Sequence, residues 1–304
     1  MARAFLSSGD LIADRRASYA DMLFEGGDHE AAADLMRQAL EIVPGWTAGL
    51  FRLGEMEEAA GHGDAAAVAW RKLLELDPAD RFGAGLKLAA AGNANVPDTP
   101  PIAYVETLFD AYAPTFEQAL LDKLDYRVPE LLAKAVAAAA PGRRFRSVLD
   151  LGCGTGLMGP YVRPICDYLA GMDLSEPMLQ KAAEKGIYDR LEKGDVNALD
   201  TGPNSADLIL AADVFVYVGD LERAFANIAR SLAQDGLFAF SVENHAGQDE
   251  LILQPSLRYA HSEAYVRRLL ADHGMTPVSL AREAIRMDRG EQLQGLIVVA
   301  RQIV

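Results

Sequence analysis

From Asp10 to about Asn93 apolar residues recur at helical spacing in segments rich in Ala, Leu and Glu, with Gly and Pro only at intervals suited to turns. An offset of 34 residues accounts for those intervals. Ala32, Met36, Leu40 and Pro44 fall on Ala66, Trp70, Leu74 and Pro78, while Gly27 falls on Gly61 and Ala20 on Gly54. Small residues at 20/54 and 32/66 let the two helices of a hairpin approach closely, and larger residues four and eight positions on fill the groove between hairpins. Residues 80–91 (DRFGAGLKLAAA) predict one further helix capping the open apolar end. The next stretch, GNANVPDTPP (92–101), has no hydrophobic face and reads as a linker.

Beyond the linker the pattern alternates between strands and helices. Helices are predicted at 104–121, 128–139, 177–184, 220–233 and 262–273, with Pro114 as a break or a first-turn residue. Apolar runs at 147–151, 168–172, 188–192, 206–211, 237–242, 276–286 and 293–301 predict seven strands, mostly parallel. MDRGEQ (287–292) is too short for a crossover helix, so the last two strands form an antiparallel edge pair. The chain therefore divides into an all-α domain, 1–95, and an α/β domain, 96–304.

At 304 residues, 50% apolar and 24% charged, the composition fits two ordinary globular domains. The net charge of −15, with no basic run longer than Arg143-Arg144 followed by Arg146, disfavours nucleic acid as a partner. Cys153 and Cys166 form neither a disulfide framework nor a zinc spacing, which fits a reducing cytoplasm. The start, MARAFLSSGDLIADRR, reads as neither signal peptide nor anchor, and no apolar run is long enough to span a membrane.

The decisive local signal is SVLDLGCGTG, residues 147–156: a short apolar strand runs into a turn with glycine at 152, 154 and 156. Missing β-carbons there allow tight turning and close approach of a ligand to the backbone. Compared with the GxGxxG fingerprint of NAD sites, the third glycine comes one place early, position 157 is Leu, and the strand ends in Asp150. A P-loop is excluded by the absence of GK[ST].

Residues 147–156 resemble motif I of the class I S-adenosylmethionine-dependent methyltransferases, and GMDLSEPML (171–179) and GDVNAL (194–199) resemble its later motifs. The resemblance covers roughly residues 102–304. It implies a Rossmann-like seven-stranded methyltransferase sheet with an antiparallel edge, S-adenosylmethionine as cofactor and S-adenosylhomocysteine as product. Carried over residue by residue, Asp150, Gly152, Cys153, Gly154, Thr155 and Gly156 form the cofactor turn. Asp173, with Leu174 beside it, receives both ribose hydroxyls, and Met178 packs on the adenosine. Asp195 lies near the adenine amino group, and the Val196 N–H near a ring nitrogen. Ala212, Asp213 and Val214 lie beneath the methionine part. The lead-in helices, 102–140, close over the site: Tyr104, Tyr112 and Phe116 exclude water, and Tyr112 and Arg127 are candidate partners of the methionine carboxylate. Asp150, Asp173 and Asp213 also tempt a magnesium assignment, but their positions match the cofactor motifs and no metal is assigned.

Residues 13–46 and 47–80 resemble two tetratricopeptide repeats (TPR), with Arg16 where that family prefers a bulky apolar residue. The expected function is methyl transfer to an unidentified small-molecule or protein acceptor, with the TPR-like domain offering a protein-binding surface, a dimer contact or a brace. His245, after the fifth strand, is the candidate general base, with Glu243, Tyr259 and His261 nearby in sequence. The alternatives are a noncatalytic adaptor that retains the S-adenosyl ligand and an NAD-dependent oxidoreductase. The acceptor atom and the oligomeric state stay open.

Overall fold

The 34-residue offset reappears as paired helices in the computed structural model, which describes residues 7–120, 124–202, 204–288 and 290–303. Residues 1–6, part of the start read as neither signal nor anchor, and Leu121, the end of the expected 104–121 helix, lie outside these. The chain divides into two compact units between Ala111 and Tyr112, whereas the sequence pattern drew its boundary at 95/96.

The first unit is all helical: α1 (Leu11–Glu25), α2 (His29–Ile42), α3 (Thr47–Ala59), α4 (Gly63–Leu76), α5 (Ala84–Ala90) and most of α6 (Ile102–Tyr112). Asp10 caps α1 by accepting from the Ile12 and Ala13 amides, and Asp28 caps α2 through Ala31. Gly27 and Gly61 make the turns within their hairpins at φ +85° and +86°, a left-handed conformation that glycine adopts without strain. The C-caps Val43 and Asp77 share nearly the same backbone angles, so both helix exits repeat as well. Asp80 accepts from the Ala84 and Gly85 amides at the start of α5, whose Ala84 and Leu88 join the core of this unit.

The fully buried Trp70 explains one small residue of the repeat. A Cβ built on Gly54 would stand 2.0 Å from its Nε1, whereas nothing lies within 4 Å of a Cβ on Gly63. Gly54→Ala is therefore expected to lower stability by about 1–3 kcal/mol through overpacking. Gly63→Ala is expected to be neutral or slightly stabilising. Thermal unfolding of the two variants checks the contrast.

The second unit contains α7 (Phe116–Gln118), α8 (Val128–Ala139), β1 (Phe145–Leu151), α9 (Gly159–Val162), β2 (Cys166–Asp173), α10 (Glu176–Glu184), β3 (Arg190–Lys193), β4 (Ala206–Ala211), α11 (Glu222–Ser231), β5 (Leu232–Asn244), β6 (Leu251–Leu253), β7 (Tyr259–His261), α12 (Glu263–Asp272), β8 (Met275–Asp288) and β9 (Glu291–Gln302). Strands β3, β2, β1, β4 and β5 lie side by side in parallel. The expected antiparallel edge is present, with β9 pairing antiparallel to both β5 and β8. Nine described strands replace the expected seven. The additions, β6 and β7, form a short hairpin that joins β5 only at Glu243 and Asn244. Apolar side chains fill both faces of the sheet, around Phe215, Phe225, Phe238 and Phe240 on one and Val148, Leu169, Leu208 and Leu237 on the other. This sandwiching explains why the central strands read as continuous apolar runs. Among the described residues no helix is long and apolar enough to cross a membrane.

Candidate active site

The C-terminal ends of β1, β2, β4 and β5 converge, the position where open α/β sheets build ligand sites. After β1 the chain turns through Gly152, Gly154 and Gly156 at φ +58°, +54° and +84°. A Cβ on Gly152 would stand 2.5 Å from Val214 Cγ2, so that glycine serves close packing. A Cβ on Gly154 would meet only Phe116 Cε1, at 3.7 Å, and the space over this residue is open enough for a ligand to approach the backbone.

Asp173, half-buried at the end of β2, fixes the turn from the other side. Its Oδ2 accepts from the Gly154 amide and its Oδ1 from the Ser175 amide, both at 2.8 Å. Ser175 in turn caps α10 through the Met178 amide. The Cys153 amide donates to the Met172 carbonyl at 3.0 Å, and burial pushes the Cys153 thiol well above its usual range, which makes it inert packing. Asp195 accepts from the Asn197 amide at 2.9 Å, and Asp195 and Val196 are both half-buried. Met178 is fully buried, and Leu174 and Val196 are half-buried.

Asp150 occupies a different place from the other cofactor-motif residues. It is buried, and its Oδ2 accepts from the Tyr188 hydroxyl at 2.6 Å. The Tyr188 ring wedges against Gly156, Gly159 and Gly171, about 3 Å from where their β-carbons would stand. Asp150 thus braces the glycine turn from below through Tyr188, which the sequence did not single out. Burial raises the Asp150 carboxyl to about 7, although the Tyr188 hydrogen bond opposes the shift. A carboxyl whose folded pKa lies above the unfolded value of about 3.9 stabilises the fold below that value and loses its contribution as pH rises toward 7. The stability difference between wild type and Asp150→Asn is expected to shrink or reverse between about pH 4 and pH 7, and denaturation across that range measures it.

At the end of β4, Asp213 has φ +60°, a left-handed conformation uncommon outside glycine. Its amide is held by Ser241 Oγ at 2.9 Å, and its Oδ2 pairs with Arg286 Nη1. Its buried Oδ1 has no hydrogen-bond partner among the described residues. Arg286, on β8, also grips Glu243 Oε1 of β5, and Gln254 donates to Glu243 Oε2. Burial raises the Glu243 carboxyl against the opposing pull of Arg286. Arg258, at the start of the β7 limb of the hairpin, approaches the same Glu243 Oε1 at 3.6 Å.

Phe116 and Tyr112 meet edge to face at 5.3 Å beside the turn, and Glu117 is tied at 2.6 Å to Lys185, which caps the end of α10. Tyr104 lies in the helical unit, its ring against Gly83. Arg127 precedes α8, its amide donating to the Ile285 carbonyl; the cation that meets the end of β4 is Arg286, one residue farther along β8.

The candidate base His245 lies in the loop after β5. The Gly247 amide donates to His245 Nδ1 at 3.1 Å, so the neutral ring carries its proton on Nε2 and presents a donor there. His261 is fully buried, with Nε2 on the Gly219 carbonyl at 2.8 Å, and burial pushes its pKa down to about 4.

The architecture has known counterparts. A chain of the complex between the Haloferax volcanii Trm112 methyltransferase activator and the putative methyltransferase superposes with a TM-score of 0.52 at 21% identity, over 64% of this chain and 98% of its own. The second unit has a methyltransferase fold. Within this methyltransferase-like unit, residues 149–240, from the end of β1 to the middle of β5, match the family described as a methyltransferase domain. Malonyl-[acyl-carrier protein] O-methyltransferase of Salmonella typhimurium is 30% identical over 145 residues, 47% of this chain. The Methylovorus protein of that name is 28% identical over 183 residues, 56% of this chain. The matches span 58% and 60% of those two proteins' lengths.

The site fits the group that the motifs imply. Open space over Gly154, a carboxylate beside it at Asp173, and unpartnered buried oxygens on Asp213 and Asn197 offer acceptors to a cationic, hydroxyl- and amine-bearing ligand.

Proposed function

We propose that the protein transfers a methyl group from S-adenosylmethionine to a small-molecule or protein acceptor. The observation that carries this reading is the glycine turn bridged to Asp173 at the sheet's C-terminal edge, within the segment that matches methyltransferase domains. When bound, the cofactor supplies an electrophilic methyl carbon on a sulfonium.

The chain's own residues bind, orient and exclude water. Asp173 holds the ribose hydroxyls while keeping the turn in place, and the Gly154–Gly156 backbone leaves room for the ligand. Asp195 and Asn197 face the adenine end. Asp213 Oδ1 offers a negative partner to the positively charged methionine end, and Tyr112 and Phe116 cover it. Excluding water and fixing an in-line approach supply much of the rate without a covalent intermediate. No metal takes part in this reading, and the compartment is the reducing cytoplasm.

We read the helical unit as two TPR-like hairpins, 13–46 and 47–80, with α5 as cap, offering a short surface to a protein partner or to the acceptor. Labelled methyl donor incubated with the protein and a size-fractionated extract of the source cells tests the function. Label in small molecules or in protein supports transfer. No label, with S-adenosylhomocysteine bound normally, supports the noncatalytic adaptor instead.

A further inference from the structure

The repeat that builds the helical unit leaves one of its own faces open. An offset of 34 maps Ile12, Arg15, Tyr19 and Met22 of α1 onto Trp46, Gly49, Leu53 and Met56. In the second hairpin these positions belong to the core that α3 shares with α2: Trp46 is 7% exposed, Gly49 and Met56 are buried, and Leu53 is partly buried. The first hairpin repeats the pattern without the partner. α1 is the first described helix, and there Ile12 is 59% exposed, Tyr19 62% and Met22 65%.

The exposed residues form one stripe. At 3.6 residues per turn Leu11, Met22, Arg15, Tyr19 and Ile12 follow one another within an arc of about 100°. The other side of α1 carries Ala13, Ala17 and Ala20, all fully buried. A helix apolar on two sides is built to be covered on both. Leu11, Ile12, Tyr19 and Met22 together present roughly 500 Å² to solvent, at the upper end of the largest apolar patch that a monomer usually shows.

The rest of the unit restricts what can cover it. A head-to-tail stack of chains needs an open apolar face at the other end of the array, but α5 closes that end with Leu86 and Leu88 buried and none of its large apolar side chains exposed. Head-to-head pairing meets no such obstacle. With two α1 helices antiparallel about a two-fold axis between positions 15 and 19, Ile12 meets Met22 of the second copy. Arg15, exposed and the one charged residue within the arc, then lies over the Tyr19 ring of the second copy, a cation–π contact made twice. The two stripes together bury about 1,000 Å², the lower bound of a specific interface, which sets the expected affinity in the micromolar range.

We propose that a second copy of this chain docks on the outer face of α1, giving a two-fold dimer held by antiparallel α1 helices. The contact continues the packing of the array: α1 of the second copy covers on α1 the positions that are buried in the α2–α3 core of the second hairpin.

Sedimentation velocity of the full chain from about 1 to 200 μM brackets a micromolar dissociation constant and tests the proposal. The expected result is a monomer that becomes a dimer across this range. Ile12→Glu and Met22→Lys are each expected to weaken the dimer by about a hundredfold, because the axis places every substitution in the interface twice. Both side chains are exposed in the single copy, so the thermal midpoint of the dilute variants stays near wild type. Mixed in equal amounts, the two variants are expected to pair with each other, since the new carboxylate of one lies against the new ammonium of the other. A chain that stays monomeric throughout overturns the proposal and leaves the face to a different partner. A dimer that neither variant weakens lies on another surface and overturns it too. Variants that dissociate and do not pair when mixed overturn the antiparallel arrangement.

Discussion

Arg286→Met is expected to destabilise the second unit by about 3–5 kcal/mol, because removing one member of a buried ion network leaves its partners uncompensated. Arg286 is 4% exposed and lies between Asp213 and Glu243, the latter 1% exposed. Methionine preserves volume, so the loss measures the stranded carboxylates and not a cavity. A domain has only about 5–15 kcal/mol in hand, and the variant should unfold at markedly lower denaturant concentration. Arg286→Lys keeps one positive charge but cannot hold two carboxylates with a planar fork, so an intermediate loss is expected. A loss below about 1 kcal/mol for Arg286→Met would show that the network contributes little to the fold.

Asp173→Ala is expected to weaken S-adenosylhomocysteine binding by about a hundredfold, the loss of two hydrogen bonds to a charged acceptor at about 1.5 kcal/mol each. A second effect follows from the turn. The Gly154 and Ser175 amides lose their acceptor, so stability should also fall, by about 1–3 kcal/mol. Asp173→Asn keeps one side-chain oxygen as acceptor and is expected to recover more of the stability than of the affinity. Calorimetric titration beside thermal unfolding separates the two. Unchanged affinity in Asp173→Ala, with the turn intact, would remove the residue from the ribose site.

The long sheet strands were legible because burial on both faces makes them continuous apolar runs, and the glycine turn because positive φ leaves few alternatives to glycine. The two-hairpin pattern was legible because Gly27 and Gly61, and the helices that follow them, repeat in register. Strands β6 and β7, three residues each, are shorter than any periodicity can detect. The partners that matter most are also distant in sequence. Asp150 and Tyr188 are 38 residues apart, Arg286 and Glu243 are 43 apart, and Arg286 and Asp213 are 73 apart. Local pattern placed carboxylates at strand ends, but only the folded sheet shows that Asp150 turns inward to a tyrosine while Asp213 keeps an oxygen open. Charge complementarity alone points to Arg127 as a partner of the methionine carboxylate. Arg286, inside a strand whose burial pattern does not alternate, carries no such signal. His245 reads as a base by position alone, and the Gly247 amide that fixes its tautomer lies two residues on, in a loop whose geometry no sequence pattern encodes.

The central claim is that the open turn at Gly154 and the neighbouring Asp173 carboxylate grip one adenosyl ligand. Isothermal titration of the wild-type chain with S-adenosylhomocysteine tests it most directly. The account predicts one ligand per chain at micromolar affinity, with no comparable heat from NAD. No heat with S-adenosylhomocysteine, and no rise in the unfolding midpoint at about 1 mM ligand, would contradict it.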